Sequence, residues 1–184
     1  MKTILMIFLA SWLAVQVNGQ INKRLLNSAI TPGVAMYRQP LQTLWLKKDE
    51  LWGYKINIQE FKENVDTTVI LEIIANSQQM DTSQWTYREV PKVILVNSEK
   101  DQIPQTKLKT FLKNVRPSPI SDLNIYNNLP PEKRNILSYS RPVYDKSKRY
   151  AAVAYRENGG YGTVLYHLIN NRWVKLGSLE KWVY

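Results

Sequence analysis

The clearest hydrophobic period in the chain runs through Val69, Ile70, Ile73 and Ile74, which recur at helical spacing up to about Ser77. Asp66 and Thr67 stand just before them and can cap an N-terminus, so the pattern predicts a helix there. Val93 to Val96 form a β-branched run after Pro91, and the polar stretch Asn97 to Asp101 closes it as a strand is closed. Farther on, Leu108, Phe111, Leu112 and Val115 mark one face of a second helix, which Pro117 and Pro119 end. Lys107, Lys109, Lys113 and Arg116 crowd its remaining surface. A basic amphipathic helix can lie on an anionic membrane, although a four-residue apolar stripe more often packs on a core. Residues 20–40 read as an arm. Leu44, Trp45, Leu51 and Trp52 sit at mixed spacings that suit a short helix or an edge strand equally.

The last fifty residues read as an antiparallel meander of runs rich in Tyr, Val and Ala between turn residues. Ile136 to Tyr144 is its first strand, Asp145 to Lys148 a turn, and Tyr150 to Arg156 the second strand. A wider loop around Asn158, Gly159 and Gly160 leads to a third strand over Gly162 to Ile169. Asn170 and Asn171 tolerate positive φ and suit a two-residue hairpin turn into a fourth strand, Arg172 to Leu176. The fold class expected is therefore α+β, with N-terminal helices packed on a C-terminal four-stranded antiparallel meander. These turns set Pro142 opposite Ala151 and Ala151 opposite His167. Ser140 then lies roughly 12 Å from His167 by backbone spacing, and Arg141 points to the opposite face from it.

Ser138 to Asp145 (SYSRPVYD), Tyr150 to Tyr155 (YAAVAY), Gly159 to Gly162 (GGYG) and the late Trp173 and Trp182 form a pattern. It resembles one found in small exported proteins of unknown function from Bacteroidota-type bacteria. The resemblance covers about a third of the chain and implies a fold and a compartment, with no catalytic residues to carry over. Members of that group often place Cys beside the glycines, whereas this sequence has none.

The first residues change the picture of where the chain works. Lys2 precedes an apolar run from Ile4 to Val15 that only Ser11 interrupts, the pattern of a secretory signal. Val17-Asn18-Gly19 places a small residue for cleavage, so residues 1–19 are read as a signal peptide and 20–184 as a single mature domain. No later apolar run is long enough to span a membrane. The expected location is secreted or periplasmic. Without Lys2, 24 Lys and Arg face 15 Asp and Glu, a formal charge of +9 that attracts anionic surroundings. An anionic envelope component or an exported protein is the expected partner, and no nucleic acid is expected. The absence of Cys excludes disulfides, thiolate metal sites and thiol nucleophiles.

Candidate chemistry is sparse. His167 is the single histidine, and no Gly-x-Ser-x-Gly elbow, HExxH or phosphate-cradling loop is present. His167 lies inside a strand, where a packed histidine is the commoner case, so no catalytic residue, cofactor or metal is assigned. Asp49 with Glu50, or Glu99 with Asp101, offers carboxylates that could pair for hydrolysis in an envelope enzyme, or serve simply as solvated charge. Arg141 is a charge in an apolar-patterned strand, either at a solvated edge beside Pro142 or paired and functional. Tryptophans and tyrosines beside basic residues suit binding of sugars or proteins, though core packing uses the same residues. The reading is a non-enzymatic binding domain whose basic, aromatic surface includes Arg141, Arg156 and Tyr161. A carboxylate hydrolase and an inhibitor-like protein that neutralises another exported protein are the alternatives.

Overall fold

The computed structural model describes residues 23–30, 32, 34–45, 64–101 and 135–183. The expected signal peptide, Asp49 and Glu50, and the basic helix expected near Leu108 lie outside them. Seven strands join in one mixed sheet: β1 (Ala35–Tyr37), β2 (Ile94–Val96), β3 (Ile136–Tyr139), β4 (Val143–Tyr144), β5 (Tyr150–Glu157), β6 (Gly160–Ile169) and β7 (Arg172–Val183). Helix α1 covers residues 23–29 and α2 covers Thr67–Ser77.

This architecture corrects the expected fold class. Where an arm was expected over residues 20–40, residues 23–29 form α1 and Ala35–Tyr37 form a strand of the sheet interior. β1 pairs in parallel with β2 on one side and β3 on the other, so the sheet is mixed and not a four-stranded meander carrying N-terminal helices. A three-residue strand shows no alternation long enough to register as a pattern, and parallel partners far along the chain leave no turn signal between them.

Local chemistry explains the elements that were legible. Asp66 caps α2 by accepting from the Thr68 amide at 2.9 Å. Ile70, Ile73 and Ile74 then face inward, each contributing about 1.5–3 kcal/mol by leaving water. Asn170 (φ 48°) and Asn171 (φ 61°) form the two-residue turn between β6 and β7, in the left-handed region that Asn accepts. At the β4–β5 connection the Asp145 carboxylate accepts from the amides of Ser147 (3.1 Å) and Tyr150 (2.8 Å) and from the Ser147 hydroxyl. Lys148 takes the positive φ there, 56°.

Each face of the sheet has its own core. On one, Leu25, Leu26 and Ile30 from the α1 region pack with Met36, Tyr139, Val153, Tyr166 and the fully buried Trp85. On the other, α2 packs on Ala152, Ala154, Leu165, Leu176 and Leu179, the alanines allowing close approach. β7 carries two extra residues relative to β6, and these are Leu176 and Leu179, both turned into the α2-side core. Bulges of this kind also blunt a long edge strand against further pairing.

Candidate functional site

Between β3 and β4 the chain makes a bulge that decides the fate of Arg141. Ser138 and Tyr139 pair with Arg156 and Tyr155, but Val143 and Tyr144 pair with Ala152 and Ala151, one residue out of step. Three residues, Ser140 to Pro142, thus stand opposite Val153 and Ala154. The extra residue reverses the alternation, so Tyr139 lies in the α1-side core and Val143 in the α2-side core.

From this bulge the Arg141 side chain, only 9% exposed, reaches into the segment from Asp81 to Glu89. Nε donates to the Ser83 carbonyl at 3.1 Å, and Nη2 donates to the Gln84 carbonyl at 2.8 Å and the Ser83 hydroxyl at 3.1 Å. Nη1 donates to the Glu89 carboxylate, and the guanidinium lies 4.1 Å from the centre of the Trp85 ring. Burial alone would raise the Glu89 carboxyl, but its bonds from Arg141 and Thr86 outweigh that and hold it below the usual range. Arg141 is thereby the internal tie between the bulge and a segment with no regular structure of its own.

Arg156 and Tyr161 sit elsewhere and together. They are direct cross-strand partners beside the β5–β6 turn, on the face that carries α2. Arg156 is exposed and Tyr161 half-buried, and the Trp45 ring packs against Tyr161 at a tilt of 39° with ring centroids 4.6 Å apart. A cation therefore borders a two-ring aromatic ledge, the combination that suits a sugar or protein surface. Arg141 is no part of this ledge, since it points into the other face of the sheet. Trp45 is the member that sequence reasoning left unplaced; it lies on a chain segment over a hundred residues from Tyr161, and no spacing rule links the two.

His167 pairs with Tyr150 across β5 and β6, where the expected register set it opposite Ala151. The turn is the two-residue Asn158-Gly159 and not the wider loop, since Glu157 pairs with Gly160, and this shifts the register by one. The first hairpin is also displaced, with Tyr144 in place of Pro142 opposite Ala151. The His167 ring stacks on Tyr150 at 4.2 Å with 10° between planes, and Nε2 lies 3.4 Å from Arg149 Nη2. Ser140 is level with Ala154, four residues along β5 from Tyr150, and its hydroxyl accepts from the Ala154 amide. No Ser140–His167 dyad forms, and Arg141 and His167 lie on opposite faces as expected.

The remaining groups offer little reactive chemistry. Glu99 accepts from the Tyr37 hydroxyl at 2.9 Å, while Asp101 closes its turn by accepting from the Asn97 amide and the Ser98 hydroxyl. Those bonds keep the Asp101 carboxyl below its ordinary value. Burial pushes the Tyr144 and Tyr166 phenols up, so both stay protonated at neutral pH. Among the described residues no three His, Asp or Glu side chains gather to hold a metal ion, and no helix is long and apolar enough to cross a membrane. A shallow depression beside α1, lined by Leu26, Ile30, Val90 and Val93, has Glu89 and Lys92 at its margin. No protein-family model, curated protein or solved structure matches the chain.

Proposed function

We propose that this chain is an exported, non-enzymatic binding protein of the periplasm or cell envelope, which engages an anionic envelope component or an exported protein through its basic and aromatic surface. The observation that carries the reading is the Arg156–Tyr161 pair with the Trp45 ring packed against it at a tilt, an accessible cation on an aromatic ledge at a hairpin tip. The formal charge of +9 left after removal of residues 1–19 supplies long-range attraction to such a partner. Export rests on the apolar run from Ile4 to Val15 and the small Gly19, and the resemblance to exported Bacteroidota-type proteins agrees with it.

Two measurements test this. Mass spectrometry of material exported by a bacterial host is expected to give a chain beginning at Gln20, and an intact Met1 terminus would refute the leader. Mature protein is expected to bind anionic beads at low salt and to lose much of that binding by physiological salt, because exposed charges are screened over about 8–10 Å there. R156Q and Y161A are both expected to weaken the binding that persists at physiological salt. Protein that ignores anionic beads even at low salt refutes the reading.

A further inference from the structure

The hairpin that carries the ledge turns through Asn158 and Gly159, and both residues are exposed. Neither the Asn158 side chain nor the Gly159 amide has a hydrogen-bond partner. A Cβ built on Gly159 would meet nothing within 4 Å, so the space around its nitrogen is open, and glycine adds no side chain of its own to shield it. Among the described residues Asn158 is the only asparagine that glycine follows. Asn97, Asn170 and Asn171 precede Ser98, Asn171 and Arg172, each of which sets a Cβ beside its nitrogen. Asn76 is engaged otherwise, its side chain donating to the Tyr144 carbonyl at 2.7 Å.

An open, unbonded amide next to a free carboxamide has a reaction available to it. The Gly159 nitrogen, its proton lost to base, attacks Cγ of Asn158. The new N–Cγ bond closes a cyclic imide as the Cγ–Nδ2 bond breaks, and Nδ2 leaves as ammonia. Water then opens the ring. Addition at Cγ restores the main chain with an aspartate, whereas addition at the α-carbonyl carbon leaves the chain running through Cγ as isoaspartate, a methylene longer. The balance is one water taken up and one ammonia released, and no oxidant, reductant or co-reactant is needed.

We propose that Asn158 is a site of spontaneous deamidation, and that the carboxylate formed there weakens the adjacent Arg156–Tyr161 ledge as the protein ages. The effect on the ledge rests on reading that ledge as the binding surface; the modification itself does not. Either product is ionised at neutral pH and places a negative charge two residues from Arg156. Glu157 stands between them, so the cation of the ledge acquires a second carboxylate neighbour and attracts an anion less. Isoaspartate also lengthens the turn whose two residues hold Glu157 opposite Gly160 and Arg156 opposite Tyr161.

The test is to age the purified, folded protein in warm, mildly alkaline buffer and in parallel in mildly acidic buffer, then to map it by trypsin digestion and mass spectrometry. The tryptic peptide from Glu157 to Arg172 carries Asn158, Asn170 and Asn171, and its fragment ions separate the three. Conversion to aspartate and isoaspartate is expected at Asn158, faster in the alkaline arm because the attacking amide must lose its proton. G159A, whose added methyl meets open space, is expected to slow it about tenfold, a barrier higher by about 1.4 kcal/mol. An Asn158 that stays intact in folded protein while the denatured chain converts, equal conversion at Asn170 and Asn171, or an unchanged rate in G159A would each overturn the site. Aged protein and N158D are expected to bind anionic beads several-fold more weakly than fresh protein at physiological salt, while G159A aged alongside keeps its binding. Unchanged binding by N158D where R156Q weakens it would overturn the effect on the ledge. Unchanged binding by R156Q as well would remove the ledge and that effect with it, and the mass map would still decide the modification.

Discussion

The hydroxyl of Ser140 accepts the amide hydrogen of Ala154 at 2.8 Å, while the Ser140 amide donates to the Ala154 carbonyl at 2.9 Å. A side chain thus substitutes for a backbone carbonyl where the bulge breaks the ladder. Ser140 and Ala154 are both fully buried, so no water replaces the hydroxyl if it is lost. S140A is expected to destabilise the fold by about 1–3 kcal/mol, the cost of an unsatisfied buried donor. Urea denaturation measures it, and a change below about 0.5 kcal/mol would deny the hydroxyl this role.

Arg141 should behave as a structural residue. Breaking a buried ion pair by removing one partner costs about 3–5 kcal/mol, and because Glu89 is about one third exposed and can rehydrate, R141M is expected near the lower end. R141K keeps the charge but cannot reach the Ser83 and Gln84 carbonyls with one planar fork, so it should recover only part. The double variant with E89Q is expected to cost less than the two single losses together, which a double-mutant cycle in urea reads directly.

The same pair predicts a response to acid. The Glu89 carboxyl is held below its ordinary 4.5 in the folded chain, and Asp81 is lowered chiefly by the Ser83 amide. A group whose folded value is depressed gives stability that is complete above its unfolded value and is lost as pH falls through the folded one. Stability should therefore decline below about pH 4.5, and E89Q should flatten that decline. An unchanged slope in E89Q would assign the acid response to other carboxylates.

Gly162 and Gly159 should differ sharply on substitution. A Cβ on Gly162 would meet the Glu180 carbonyl at 2.6 Å and the Tyr155 ring at 3.0 Å, whereas one on Gly159 meets nothing within 4 Å. G162A is expected to cost about 1–3 kcal/mol through forced backbone shifts, and G159A to stay within about 0.5 kcal/mol. Thermal melts of the two variants side by side settle the contrast.

At the β6–β7 turn, Asn171 with φ 61° occupies a conformation that a β-branched side chain resists. N171V is expected to cost about 1–2 kcal/mol, and N171G to be neutral or slightly stabilising. Equal melting temperatures for N171V and N171G would contradict the turn geometry.

What could be read from the sequence was local. The Asp66 cap, the isoleucine period of α2, the β-branched run of β2 and the Asn170-Asn171 turn each depend on residues within one or two turns of chain, and each is in place. Arg156 and Tyr161 were named for their charge and ring alone; the tight hairpin that sets them opposite each other was not read, since a wider loop was expected there. The environment of Arg141 was not legible, because Glu89 is 52 residues away and is reached only through the bulge. Nor was the place of Trp45, which depends on how its segment crosses the α2 face. The registers failed at the two points where the chain gains or saves a residue, the bulge and the tight Asn158-Gly159 turn.

The interior position of β1 bears on the order in which the molecule assembles. Ala35 pairs with both Ile94 and Ile136, and the second pairing closes a loop of about a hundred residues. The β4–β5, β5–β6 and β6–β7 hairpins close over a few residues and can form on their own, whereas β1 has no neighbour on its β3 side until synthesis has passed residue 136. β1 thus completes its pairing only after a strand far along the chain has been made. A chain built this way has no joined sheet until β3 exists, and its folding rate should be set by the docking of β1 and not by the hairpins.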